Sequence, residues 1–149
     1  MRKDDFVMRG KTASGQTEVL NFSGFKPGYA YKLVEFSLFP ATAIGTGIRE
    51  MIGCITAGKT ATDPNNPDFN DEGLIATTFQ TIDNNPAYPA SEISVVNDTF
   101  LITQNLILIV KDDTGGESIN WQCRFRPVKL AKAQEAVANY KQYMISDGS

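Results

Sequence analysis

Apolar and polar positions alternate with a period of two through most of this chain, and a helical spacing takes over only near the end. Over 118–128, Ile119, Trp121, Cys123 and Phe125 alternate with Asn120, Gln122, Arg124 and Arg126. Such a stretch is a strand with one face buried and one face wet. After Pro127 the apolar positions become Leu130, Ala133, Val137, Tyr140 and Met144, the stripe of an amphipathic helix over 130–144. Leu130, Val137, Tyr140 and Met144 are expected to bury against the strands, where the helix caps one open end, or against another subunit. Lys132, Gln134, Glu135, Asn139 and Lys141 fill the remainder.

Upstream, short strands are predicted at 4–9 and 17–22, joined by the polar turn 10–15. Lys26-Pro27-Gly28 makes a second turn, because proline presets φ and glycine accepts φ > 0. The long strand at 29–39 carries apolar residues on both faces, Ala30, Val34, Phe36 and Leu38 against Tyr31, Leu33 and Phe39, so cover on both sides is expected for part of its length. Further strands are expected at 48–57, 74–82 and 99–110, the last being the most apolar and taken as central. Asp112-Asp113-Thr114-Gly115-Gly116 reads as a hairpin turn into the Trp121 strand. The segments 63–73 and 83–91 are longer than a turn requires. About seven strands with no helix between them predict an all-β antiparallel sandwich, jelly-roll-like, with one C-terminal helix and a single domain over 1–149.

Composition narrows the chemistry. The chain has no histidine, which removes the usual general base and the commonest metal ligand. A net charge of −3 argues against sequence-independent nucleic-acid binding, and Arg124 and Arg126 are expected on a solvated strand face. The longest apolar run, 106–110, is far short of a membrane span. Met1-Arg2-Lys3-Asp4-Asp5 places acids where an export signal would be apolar, so no signal peptide is expected. Cys54 and Cys123 are expected as buried thiols, with a disulfide the alternative if their strands are neighbours.

Three strings suggest chemistry. Gly53-Cys54-Ile55-Thr56-Ala57-Gly58-Lys59-Thr60 spells a phosphate-binding loop. That mechanism needs the loop to open a helix, and the Pro64 and Pro67 region forbids one, so nucleotide binding is not expected. Asp63, Asp68, Asn70 and Asp71 offer oxygen ligands of the kind calcium prefers, without EF-hand spacing. Turn formation is their expected role, and no metal or cofactor is assigned. The adjacent pairs Asp4, Asp5 and Asp112, Asp113 are expected to be structural, since neighbouring strand residues point to opposite faces. Trp121 is in phase with the core.

The string Asp63-Pro64-Asn65-Asn66-Pro67-Asp68-Phe69-Asn70-Asp71-Glu72-Gly73 between strands, with the strand-to-helix ending over 119–144, resembles the small β-rich virion structural proteins of bacteriophages, of the capsid, cement or decoration type. The resemblance implies a non-enzymatic shell protein, assembled in the host cytoplasm, whose partners are copies of itself or another shell protein. No membrane, nucleotide or sequence-specific nucleic-acid partner follows from it. Phe69, Tyr88, Tyr140 and Met144 are the candidate interface residues. The rival expectation is a carbohydrate- or ligand-binding module with calcium-supported loops.

Overall fold

The computed structural model describes residues 4–22, 27–42, 47–58, 60–83, 87 and 90–148. It contains β1 (Phe6–Thr12), β2 (Thr17–Leu20), β3 (Tyr29–Pro40), β4 (Arg49–Thr56), β5 (Leu74–Ile82), β6 (Ser91–Val96), β7 (Leu106–Asp112), β8 (Ile119–Lys129) and α1 (Lys132–Gly148). The strands form two antiparallel sheets, one ordered β1-β8-β3 and the other β2-β7-β4-β5-β6. They face each other in a β-sandwich-like arrangement, and their inner side chains make one core. Phe36, Leu38, Trp121 and Phe125 come from the first sheet, and Met51, Ile55, Leu108 and Val110 from the second.

Two glycines mark close approaches, one between the sheets and one within the three-stranded sheet. A Cβ on Gly53 would sit 2.9 Å from Cζ of Phe36, and one on Gly10 would sit 2.7 Å from the Trp121 ring. Both positions lack a side chain because an aromatic ring from elsewhere occupies the space. Trp121 is buried as its phase predicts, and its Nε1 donates to the Thr12 hydroxyl at 2.9 Å. That bond removes the cost of burying an indole N–H without a partner.

Several expectations need correction. The strand expected over 99–110 begins only at Leu106, and β4 rather than β7 is central to its sheet. The stretch before β7 instead reaches the other sheet, where Ile102 and Tyr31 exchange both backbone hydrogen bonds. β6 was not expected, because Ser91, Glu92, Ile93, Ser94 and Val95 are mostly exposed and give no deep-core signal.

The turn after β7 is not a hairpin, since β7 and β8 belong to different sheets. The Asp112 carboxylate holds it by accepting from the amides of Thr114, Gly115 and Glu117 and from the Thr114 hydroxyl. The link from β1 to β2 also changes sheets. The two crossings are tied side by side, where the Asp112 amide donates to the Ser14 hydroxyl at 2.9 Å.

The two-faced pattern of β3 has a local cause. Register shifts between Leu33 and Glu35, so Tyr31 and Leu33 face inward before the bulge, and Phe36 and Leu38 after it. An extra residue exchanges the faces of a strand. Cover on both sides is confined to the start, where Ala30 packs with Leu130, Ala138, Leu101 and Val128.

The helix crosses one end of the sheets, but the expected stripe does not hold it there. Val137, Tyr140 and Met144 point outward, and Ala138 and Gln142 are buried instead. Gln142 is completely enclosed, and its Oε1 accepts from the Thr103 amide and hydroxyl and from the Gln104 amide. Ala138 and Gln142, with Ile145 against the main core, dock this helix, and an apolar-periodicity argument does not detect the first two.

Candidate functional site

Among the described residues no group of three or more histidine, cysteine or acidic side chains gathers as a metal site would require. The acids of the 63–73 loop serve its own backbone. Asp63 accepts from the Asn65 amide, Asp68 from the Asn70 amide, and Asp71 from the Gly73 amide. These are successive Asx turns, the role expected for them. Gly53 through Thr56 lie in β4, and the chain then runs into an irregular loop where a phosphate-binding loop would open a helix. Lys59 lies outside the described residues. Gly53 owes its identity to the Phe36 ring beneath it, which accounts for a motif without its mechanism.

Both cysteines are buried and free, one in each sheet. Burial pushes both thiols above their ordinary value, most strongly Cys123, and so holds them in the unreactive protonated form. Burial also pushes the Asp112 carboxyl up. Hydrogen bonds from the Thr114 hydroxyl and from the amides of Thr114, Glu117 and Gly115 outweigh it and hold the group below its ordinary value.

The outer faces of the two sheets are built differently. On the three-stranded sheet the rows read Arg9, Gln122, Ser37, then Lys11, Asn120, Phe39, then Val7, Arg124, Glu35. This face closes on itself. Arg9 donates to Gln122, Arg124 pairs with Glu35 at 2.7 Å, and Arg126 makes two hydrogen bonds of 3.0 Å to Asp5. The Asp5 side chain is fully buried, and its hydrogen bonds raise the Arg126 guanidinium above its ordinary value. The expectation of a solvated Arg124 and Arg126 therefore needs refining, since each is held by an acid from a neighbouring segment.

On the five-stranded sheet the corresponding rows read Lys111, Ile52, Phe79, Ile93, then Thr17, Ile109, Cys54, Thr77, Val95, then Val19, Ile107, Thr56. Only Lys111 among them is charged. Val19 and Ile93 are 63% and 64% exposed, and Val95 and Phe79 are 47% and 37% exposed. A soluble antiparallel sheet ordinarily turns polar residues to water on its outer face. This one is largely apolar, exposed at Val19 on one side and at Phe79, Ile93 and Val95 on the other, with half-buried Ile52, Ile107 and Ile109 between them. Apolar surface of this kind marks an interaction site.

Three of the four candidate interface residues fall on the rim of that surface. Phe69 is 64% exposed on the loop and lines a groove with Thr77 and Val95. Tyr140 and Met144, also exposed, line a second groove with Thr56 and Gly73. Asp71 and Glu72 border both grooves, which joins the helix stripe to the loop and the loop to the sheet. Tyr88 lies outside the described residues. Sequence reasoning missed Ile52, Phe79, Ile93, Val95, Ile107 and Ile109. A signal was available in the both-sided apolar character of 106–110, which marks a strand buried on two faces. No helix among the described residues is long and apolar enough to cross a membrane. No protein-family model matches the chain, and no curated protein matches it in sequence.

Proposed function

We propose that this chain is a non-enzymatic virion structural protein that builds or stabilises a capsid through protein–protein contacts. The observation that carries this reading is the apolar outer face of the five-stranded sheet, extended at its rim by Phe69, Tyr140 and Met144. An apolar sheet face left to water has a free-energy cost of roughly 25 cal/mol per Å², and association with another protein removes it. The style of the 63–73 loop and of the strand-to-helix ending over 119–144, which is that of phage shell proteins, points the same way. Its partners on this reading are copies of itself or another shell protein, and it works in the virion.

A jelly-roll-like topology is part of the proposal. Successive strand pairs β1 with β8, β2 with β7 and β4 with β5 nest as they do in a jelly roll. The remaining jelly-roll pair, β3 with β6, forms no ladder, since β6 pairs with β5 in the other sheet; the two strands meet where the Ser94 hydroxyl donates to the Phe36 carbonyl at 3.1 Å. Jelly rolls are common in viral shells, so the nesting supports the reading by analogy of fold.

Light scattering on the purified chain across a concentration series tests the proposal. A mass that rises to a defined closed assembly is the expected result. A chain that stays monomeric at millimolar concentration, and binds a small saccharide saturably instead, would overturn the proposal in favour of a ligand-binding module.

A further inference from the structure

We infer that β6 is a docking edge for the β6 of a second copy of this chain, so that two five-stranded sheets join into one continuous sheet across a two-fold axis. This deepens the assembly reading above and rests on it, by naming the strand, the partner and the register.

The four sheet edges are finished differently. An open strand edge is a template for further pairing, and proteins usually blunt it with charge, glycine, proline, shortness or cover. β2 is only 4 residues long, and β1 carries Arg9, Gly10 and Lys11. β3 is covered. Ile102 pairs with Tyr31, the Thr78 and Ser94 hydroxyls donate to the Phe36 carbonyl, and Gln80 Nε2 donates to the Leu38 carbonyl. Among the described residues no backbone segment pairs with the outer edge of β6, which is longer than β2. Its 6 residues, Ser91 to Val96, include no proline, glycine or lysine, and its register on β5 has no bulge. The single charge, Glu92, is already engaged by Gln80 Nε2 at 3.1 Å.

The direction of the free backbone groups follows from the ladder. The Asn97 amide donates to the Ile75 carbonyl at 2.8 Å, one step beyond the pairing of Val96 with Ala76. Antiparallel ladders alternate bonded and non-bonded pairs. Ile93 and Val95 therefore bond to β5, while the amides and carbonyls of Glu92, Ser94 and Val96 point away from the sheet. Among the described residues no backbone group meets them.

This edge is complementary to itself, which selects a second copy as the occupant. In an antiparallel β6–β6 pair centred on Ser94, Ser94 faces Ser94, and Glu92 faces Val96 on either side. Each of these pairs exchanges both backbone hydrogen bonds, so every outward group finds a partner. Ile93 then faces Val95 on the apolar outer side, in the closely spaced non-bonded position where side chains pack best. No like charges meet. A two-fold contact requires this self-matching of one patch. The joined sheet also carries the apolar face continuously from one protomer to its partner.

The test uses two paired variants and sedimentation velocity. Ile93→Lys with Val95→Lys changes exposed side chains and leaves the β5 ladder intact, while placing two like-charge pairs across the proposed contact. Its self-association should weaken about 100-fold or more. Ile93→Glu with Val95→Glu should weaken likewise, and mixing the two variants should restore association between unlike chains. If the lysine variant does not fold, Glu92→Pro serves instead. It removes an outward amide without touching the β5 ladder, and should also weaken association.

A native chain that associates while both the lysine variant and Glu92→Pro associate equally well would overturn the β6 contact and leave the assembly reading standing. Loss of association in both charge variants without restoration on mixing would overturn this register. A native chain that stays monomeric at every concentration would overturn the edge contact and the assembly reading together.

Discussion

The outer face of the three-stranded sheet and that of the five-stranded sheet solve opposite problems with the same inner core behind them. On the first, Arg9, Arg124 and Arg126 find Gln122, Glu35 and Asp5, and Phe39 and Val7 are isolated apolar residues in a polar field. On the second, Ile52, Phe79, Ile93, Val95, Ile107 and Ile109 lie on one face across four neighbouring strands. The first face is complete as a water-facing surface, and the second is not. On the proposed reading, that difference puts stability and association in different places. The inner faces and the polar crossings hold the monomer, and the apolar face is the surface proposed to meet a partner.

That division can be broken by mutation, and the largest effect belongs to the shared core. Trp121→Ala should cost about 3–5 kcal/mol in denaturant unfolding, because the ring fills the space over Gly10 and bonds Thr12. A native fluorescence spectrum typical of water-exposed tryptophan would contradict its placement. Asp112→Ala follows at about 2–3 kcal/mol, since several turn donors lose a charged acceptor.

The same group sets a pH dependence. The folded carboxyl lies below its ordinary value, so its contribution is present above that value and is lost as pH falls through the folded one, below about pH 4. Acid unfolding of Asp112→Ala should lack that component. On the polar face, Arg124→Ala should change stability by no more than about 1 kcal/mol, because the Glu35 pair is partly exposed. Smallest of all, Ile93→Ser should leave monomer stability within about 0.5 kcal/mol while weakening association. A large loss of monomer stability there would mean that the apolar face is already covered within one chain.

The sequence made the inner half of this molecule legible and left the outer half obscure. Strict alternation placed Trp121, Cys123 and Phe125 in the core, and β5 coincides with its expected span. Alternation cannot show which strands share a sheet, so the sheet changes at 13–16 and 113–118 read as simple turns. The bulge in β3 moved apolar residues between faces, which resembled double cover. β6 was invisible because its side chains are exposed, and the docking of α1 because it depends on Gln142. The candidate interface was legible only at its rim, in Phe69, Tyr140 and Met144. Its centre lies on strands whose second apolar face has meaning only once the sheet order is known.

On the proposed reading the five-stranded sheet, and not the three-stranded one, meets a partner. Hydroxyl-radical footprinting of the native chain, dilute and then concentrated, reads both faces in one sample. Oxidation of Phe79 and Ile93 should fall as the chain associates, while oxidation of Phe39 on the polar face stays unchanged. Protection of Phe39 with Phe79 and Ile93 still reactive would contradict the account.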